Sequence, residues 1–552
     1  MYRQIFFSGV EQNMKRLRNI IICIIFLPIF FILTGNSSPI YDSRSHVVQT
    51  PIMSSYEVIP EWNITWGWSG FDYGNDIVVD NNDNVYLIGT TDSFGAGGDD
   101  IYIAKYDTAG GQKWNTTWGR GDNDWSYGAD VDSDGNIYIA GGCNRTGLDS
   151  GDLVLLKFSD SGSLIWERAI TWANEEVWFD IAIDKFDQIY LGGKTDSYGA
   201  GSFDALHAKY DTSGNNLWIY TAGYIEYESF TATAVDINGY AYMVGVTNST
   251  GAGGYDVFLE KVNSAGSYLW NTTWGGIQDD VPQGIAVDNA GNVYISGYTD
   301  NFGSSMYDMF LLKYDDNGNY IWNATWNPSG EDLSYDMMVG DDGGLYLIGE
   351  TDSIGNGGAD LSLLKFNTYG SLEWIETWGG SNDEWGRGID KDSNGNIYIS
   401  GTTQSFGPGL VNAFLIKYLT NLAPIVAPSS DISLTEGTQP YNCTWTATDN
   451  TVSNPTYTIF VDDSQVDTGT WDSGGTILYN FTNLITSAVG NHNLSLIVDD
   501  GYGNKGQDDV MVTVTPSQAG TSIPGYSPSL FIVFIIIPVG VIVKKFFVKK
   551  NS

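Results

Sequence analysis

Cysteine and histidine are nearly absent from this sequence, with three of each in 552 residues. Cys23 lies in an apolar stretch near the start, so Cys143 and Cys443 are too few to build a disulfide framework for a region this large. His46, His207 and His492 are scattered, which removes most zinc sites and most histidine-based catalysis. Basic residues are scarce as well: Lys and Arg total 25 against 66 Asp and Glu, a formal charge of -41 spread along the chain rather than blocked. Such a surface repels nucleic acid and anionic lipid headgroups and favours cations or basic partners. Helical periodicity is missing outside the two ends. What is abundant is apolar material, 42% with 14% aromatic, which excludes disorder and requires substantial buried cores.

Both ends address a membrane. Lys15, Arg16 and Arg18 precede an apolar run from Ile20 to Leu33, broken by Pro28 and followed by Thr34, Gly35, Asn36 and Ser37. That profile reads as a signal peptide over 14–35, with Met14 a candidate start and a cleaved leader preferred over an uncleaved anchor. Residues 36–56 read as a linker. Near the other end, Tyr526 to Val543 is largely apolar and Lys544, Lys545, Lys549 and Lys550 follow it. The positive-inside rule makes 526–545 a transmembrane helix and 546–552 a short basic cytoplasmic tail, leaving the rest outside the cell.

A period of 52 dominates the middle. Trp62, Trp114, Trp166, Trp218, Trp270, Trp322 and Trp374 follow it, as do Tyr86 through Tyr398, Lys105 through Lys417 and Gly89 through Gly401. Each unit reads as four short strands, a to d. In the fifth copy these are Gly284 to Asp288, Asn292 to Gly297, Asp308 to Tyr314 and Tyr320 to Trp326, with alternating apolar faces and Gly/Asp/Asn turns between them. Blades of four antiparallel strands stack into a propeller, because one sheet cannot cover both its faces. The strand Glu61 to Trp66 precedes any a strand and the last copy ends after c, so the N-terminal strand is expected to complete and close a seventh blade. The expected fold is all-β, a seven-bladed β-propeller over 57–419.

The motifs Asp-x-x-Gly-Asn-(Ile/Val)-Tyr-(Ile/Leu)-x-Gly-x-Thr, Asp-x-(Phe/Leu)-Leu-x-Lys-Tyr and Trp-Asn-x-Thr-Trp-Gly-Gly resemble the bacterial and archaeal SBBP beta-propeller repeat over Glu61 to Tyr418. Copy two departs at Gly141-Gly142-Cys143, and copy four at Thr221-Ala222-Gly223, where a tryptophan is lost. The resemblance implies the fold rather than a function. After a linker at 420–430, β-rich runs at Asn442 to Thr446, Thr456 to Val461, Ile477 to Phe481, Asn493 to Val498 and Val510 to Val514 have sandwich-like spacing. The segment 431–516 resembles immunoglobulin-like and cadherin-like surface modules, which implies a stalk. A linker at 517–525 leads to Pro524-Gly525-Tyr526, which resembles the Pro-Gly-Phe start of archaeal sorting tails except at the tyrosine.

The most suggestive acids are Asp72, Asp124, Glu176, Glu228, Asp280, Asp332 and Glu384, one per repeat, in the d-to-a connection just before the innermost strand. In a propeller they ring the channel mouth and form a candidate cation site, calcium being the cation weighed; the plainer reading is that each accepts backbone amides in its own loop. The turns Asp130-Val131-Asp132-Ser133-Asp134-Gly135-Asn136 and Asp390-Lys391-Asp392-Ser393-Asn394-Gly395-Asn396 alternate oxygens as calcium loops do, but lack a closing glutamate, which favours ordinary hairpin turns. The Asp100-to-Lys105 spacing of strand c points to blade-to-blade pairing. Ten Asn-x-Ser/Thr sequons occur, and Asn63, Asn115, Asn271 and Asn323 each follow the repeated tryptophan on the outermost strand as glycosylation candidates.

These features point to a non-enzymatic, membrane-anchored cell-surface protein for adhesion or for binding a glycan, a protein or a divalent cation. No catalytic residue or organic cofactor is indicated. The b-to-c connections, such as Thr91 to Gly98, supply flexible polar contacts near an aromatic on the same face as the acids. One alternative is a structural coat component of the envelope. Another is a propeller-based carbohydrate-active enzyme or a relative of the quinone-dependent dehydrogenases, which Asp211 to Trp218 faintly resembles. A sevenfold-repeated acid singles out no catalytic pair, and a strict period leaves no insertion to build a cofactor pocket.

Overall fold

The computed structural model describes residues 46–47, 58–143, 151–172, 174–302, 306–420, 425–427, 429–435, 442–449, 455–480, 489–499 and 505–516. The expected leader, most of the first linker, and the expected membrane segment and basic tail lie outside them. Among the described residues there is no helix, and so none long and apolar enough to cross a membrane.

From Val58 to Thr420 the chain forms repeated four-stranded antiparallel sheets in the manner of a β-propeller. Sheet 1 comprises Asp72–Val79, Val85–Thr91, Asp100–Tyr106 and Gln112–Trp118 as strands a to d. Sheets 2, 3 and 4 begin at Asp124, Glu176 and Glu228, and sheets 5, 6 and 7 at Asp280, Asp332 and Glu384. The first long strand, Val58–Trp66, pairs antiparallel with Asn412–Thr420 and supplies strand d of sheet 7, as its place ahead of any a strand predicted. The a strand of each sheet contacts that of the next, and Glu384–Lys391 contacts Asp72–Val79.

The repeated tryptophan and lysine help explain the 52-residue period, because they hold a sheet to the following one. Trp114 Nε1 donates to the Asp160 carbonyl at 3.0 Å and Lys105 Nζ to the same carbonyl at 3.3 Å, both reaching the c-to-d turn of sheet 2. Lys105 also sits over the Tyr86 ring at 5.0 Å, and sister pairs recur down to 4.5 Å at Lys209 and Tyr190. This assigns the repeated lysine to pairing between sheets, as the spacing in strand c predicted.

Strand a begins four residues earlier than expected in the fifth copy, at Asp280 instead of Gly284. The reason is a β-bulge between Pro282 and Gly284, which lets pairing with strand b continue beyond the irregularity. All seven sheets carry this bulge. It also explains the repeated glycine of strand b: a Cβ on Gly245 would lie 1.8 Å from the Ser229 carbonyl oxygen, and one on Gly297 2.2 Å from that of Val281. Only glycine lets the bulged backbone approach this closely.

The C-terminal β unit has a three-stranded sheet, Ile425–Val426, Asn442–Thr448 and Thr476–Asn480, and a five-stranded sheet. The latter runs in the order Ile432–Thr435, Lys505–Thr515, Gly490–Asp499, Thr456–Val461 and Ser464–Thr470. Trp445, Trp471, Ile459, Leu496 and Val512 share its core. Ser464–Thr470 was not expected as a strand, since it is almost wholly polar; the positive φ of Asp462 and Asp463 makes the tight turn that folds it back. Cys143 and Cys443 are buried and not joined in a disulfide.

Candidate ligand face and inner ring

The seven repeated acids are the first residues of the a strands, not loop residues, and none is more than 1% exposed. Each faces the last residue of strand b, which in six sheets is a threonine whose hydroxyl donates to the acid: Thr195 to Glu176 at 3.1 Å, Thr247 to Glu228 at 2.8 Å, Thr403 to Glu384 at 2.8 Å, and likewise at Asp72, Asp280 and Asp332. In sheets 1, 4, 5 and 7 a d-to-a turn amide donates to the other oxygen, from Trp68 to Asp72 at 2.8 Å, Tyr224 to Glu228 at 2.7 Å, Gly276 to Asp280 at 2.7 Å and Gly380 to Glu384 at 2.6 Å. The bonds are those of the loop-capping reading. In sheet 2 Cys143 replaces the threonine, Asp124 Oδ1 has no hydrogen-bond partner, and burial lifts that carboxyl to about 6. Among the described residues no three His, Cys, Asp or Glu side chains converge in the manner of a metal site.

The two calcium-like turns divide their acids between different tasks. Asp132 Oδ1 takes the amides of Asp134 at 3.1 Å and Asn136 at 2.8 Å, and Gly135, at φ 80°, closes an ordinary hairpin turn. Asp130 instead accepts the Ile183 amide of sheet 3 at 2.6 Å, and Asp390 the Val79 amide of sheet 1 at 2.7 Å.

Asp130 and Asp390 belong to an inner ring that has no sevenfold column. Asp76, Asp180 and Asp336 occupy the position two residues earlier in their own repeats and likewise bridge sheets: Asp76 accepts from Ala129 at 2.7 Å, Asp180 from Thr233 at 2.6 Å and Asp336 from Ile389 at 3.1 Å. Burial raises every one of these carboxyls, reinforced in all but Asp390 by repulsion from others of the five: Asp76 well above its usual range, Asp180 to about 8, Asp130 and Asp336 to about 7, and Asp390 to about 6.

Beside this ring stand the bulge residues, which differ in kind from sheet to sheet: Asn75, Tyr127, Phe179, Thr231, Gln283, Tyr335 and Arg387. Arg387 lies over the Tyr335 ring at 3.8 Å, and Tyr335 donates to Glu350 Oε1 at 2.6 Å. Burial raises Glu350 to about 7 even though Arg387 opposes the shift. Tyr127 and Phe179 meet edge to face at 5.3 Å. Searching for repeated columns passes over such residues; seven departures at one position of the repeat were the available signal.

The loops joining d to a and b to c expose a rim of large apolar side chains, with Trp68 62%, Tyr198 57%, Ile225 78%, Ile277 74% and Leu410 67% accessible. Of the outer-strand sequons, Asn63, Asn115 and Asn271 are exposed. Asn323 is not: it is 6% exposed and accepts a hydrogen bond from Tyr320 at 2.5 Å. The outer edge of sheet 5 is covered there, since His46–Val47 pairs parallel with Ala324 and Thr325.

Residues 274–303, the a–b hairpin region of the fifth repeat, match the family model of the SBBP beta-propeller repeat. The regulatory protein FlaEY of Caulobacter vibrioides is 24% identical over 227 residues, 34% of this chain, and the chain spans 23% of that relative's length. Among solved structures, the Pan2 WD40 domain of Neurospora crassa aligns with a TM-score of 0.43 and 8% identity, covering 67% of this chain and 97% of that one. The beta-propeller domain of the Trilobed protease from Pyrococcus furiosus aligns with a TM-score of 0.38 and 11% identity, covering 63% and 94%.

Proposed function

We propose that this chain is an exported, non-enzymatic surface protein whose seven sheets close into a seven-bladed propeller and bind a partner through the d-to-a and b-to-c loops. The C-terminal β unit serves as an immunoglobulin-like spacer, and 526–545 as the anchor. The observation that carries this reading is the apolar rim: side chains as large as Trp68, Ile225 and Ile277 stand in water on one face, where a partner would remove them from it. Glycine-rich loops around them supply adaptable polar contacts. The net charge of -41 adds an acidic character that favours a basic or hydroxyl-rich partner over an anionic one.

The test is binding of the full-length protein to the protein and polysaccharide fractions of isolated cell envelope, assayed separately. Saturable binding to either, lost in the triple variant Trp68→Ser, Ile225→Ser, Ile277→Ser at unchanged melting temperature, supports the reading. Equal binding by that variant, or none by the parent, overturns it. A second reading, lateral assembly into a coat, draws on exposed apolar residues of the outer strands, Ile165 50%, Leu217 50% and Tyr268 58%. Sedimentation that stays monomeric up to high concentration would exclude it.

A further inference from the structure

On the opposite face, the junction between sheets 4 and 5 departs from its sisters and opens a pocket of about 400 Å³. In the usual a-to-b turn an aspartate is fully engaged by its own sheet. Asp80 takes the Asn84 side-chain amide at 2.8 Å and the Tyr86 hydroxyl at 3.0 Å, Asp392 takes the Asn396 amide at 2.9 Å, and Asp132 also pairs with Lys157 at 3.1 Å. In sheet 4 the asparagine is replaced by Tyr240, which has no amide to offer. The tyrosine hydroxyl and the lysine are both drawn towards the next sheet: Tyr242, which also meets Asp236, donates to Asp316 at 2.8 Å, and Lys261 forms its ion pair with the same carboxylate in the c-to-d turn of sheet 5. Asp236 retains the turn amides of Asn238 at 2.8 Å and Tyr240 at 3.0 Å, but lacks the asparagine clamp of sheets 1, 2, 5 and 7.

The space so created has one apolar side and one polar side. Tyr240, Trp270 and the exposed Leu269 line it, and Trp270 is held in place by its own Nε1 bond to the Asp316 carbonyl at 3.2 Å. Asp236, Asn238 and Asn317 bring acceptors and donors to the same pocket. We infer that this pocket between sheets 4 and 5 is a binding site for a neutral saccharide unit. Aromatic and aliphatic side chains match the C–H face of a pyranose ring, while carboxylate and amide groups match its hydroxyls, and the volume lies in the range of small-ligand sites. Three carboxylates line the pocket, those of Asp236, Asp288 and Asp316, and its one lysine, Lys261, is already paired with Asp316, so uronic or sulfated sugars are disfavoured. This site is separate from the apolar rim and does not depend on it.

The test is ligand-observed NMR with the full-length protein against methyl glucoside, methyl galactoside, methyl mannoside and N-acetylglucosamine, with glucuronate as the anionic control. The variant is Tyr240→Asn, which restores the residue found in sister repeats and should therefore fold. At least one neutral sugar should bind with a Kd on the order of 1 mM, weakened at least about tenfold in the variant, while glucuronate shows no saturation. Should Tyr240→Asn lower the melting temperature, Leu269→Ser at the pocket edge carries the same comparison. The inference is overturned if no neutral sugar saturates the protein, if the pocket variants bind as well as the parent, or if glucuronate binds best. The rim variant of the preceding test should leave sugar binding unchanged, so the two readings fail separately.

Discussion

Lys417 Nζ donates to the carbonyl of Thr108 at 3.0 Å, joining the last repeat to the first across 309 positions of sequence. Trp62 Nε1 reaches the same carbonyl at 3.2 Å from the N-terminal strand. The contact that sheets 1 to 4 make with their successors is thus made by sheet 7 with sheet 1. Replacing Trp62 by alanine should cost roughly 3 kcal/mol, by loss of a large packed side chain, and lower the melting temperature by several degrees. Calorimetry on the variant decides it; an unchanged transition would mean that the closing strand contributes little.

The glycine of strand b should be irreplaceable wherever the bulge carbonyl touches it. Gly245→Ala brings a methyl group to within 1.8 Å of Ser229 O, so the backbone must shift. A loss of about 1–3 kcal/mol is expected, as for other overpacked sites. Gly343→Ala makes a matched control for steric clash, because a Cβ there meets nothing within 4 Å, although its φ of 78° still carries a backbone cost. Denaturant titration of both variants would expose an error if Gly343→Ala proved the worse of the two.

His207 and Glu260 oppose each other where sheets 3 and 4 meet, Nε2 to Oε1 at 3.8 Å, both nearly inaccessible. Sister repeats hold Leu155, Leu259 and Leu311 at the first position and Leu156, Leu312 and Leu364 at the second. Burial drives His207 down to about 4 and Glu260 up to about 7, and His207 Nδ1 has no hydrogen-bond partner. The lowered histidine stabilises the fold above its unfolded pKa and loses this as pH falls towards 4; the raised glutamate contributes at low pH and loses it as pH rises through 7. The double variant His207→Leu, Glu260→Leu should therefore be more stable than the parent, by roughly 1–4 kcal/mol, whereas Glu260→Leu alone leaves His207 without its partner. Thermal melts from pH 5 to 8 test this, and a double variant less stable than the parent at every pH would refute it.

The inner-ring aspartates predict a drift of stability with pH. Their folded pKa values are raised, so their contribution is complete below the unfolded value of ~3.9 and declines as pH rises through about 6 to 8. Asp180→Asn, which removes one of these charges, should flatten the fall in melting temperature between pH 6 and 9. If instead Asp180→Asn melts lower than the parent across that whole range, the anionic carboxylate is needed to hold the Thr233 amide.

Sequon accessibility gives a prediction independent of stability. In a glycosylating host, peptide mass spectrometry should find sugar on Asn63, Asn115 and Asn271, while Asn323, with its side chain covered, stays unmodified. Full occupancy at Asn323 would mean that modification precedes the pairing of His46–Val47 with the outer strand.

Much of the fold was legible in the chain because the contacts that build it recur. Trp and Lys stand 52 residues apart since they reach the next sheet, and Tyr and Gly since they fit the turn and bulge of their own sheet; a contact needed in every repeat leaves a copy of its residues in each. The strand that completes sheet 7 was legible for the same reason, from a tryptophan strand with no a strand before it. Tertiary structure alone decided the surroundings of the acids. Asp72 and its sisters recur as strongly as the tryptophans, yet only the pairing of strands a and b buries them and sets a threonine hydroxyl against six of the seven. The inner ring and the pocket beside Tyr240 were invisible for the opposite reason. They depend on residues that occur in one or a few repeats, such as Tyr240, Asp316 and Arg387, and only the packing of neighbouring sheets brings Arg387 onto Tyr335 or Asp316 to Lys261.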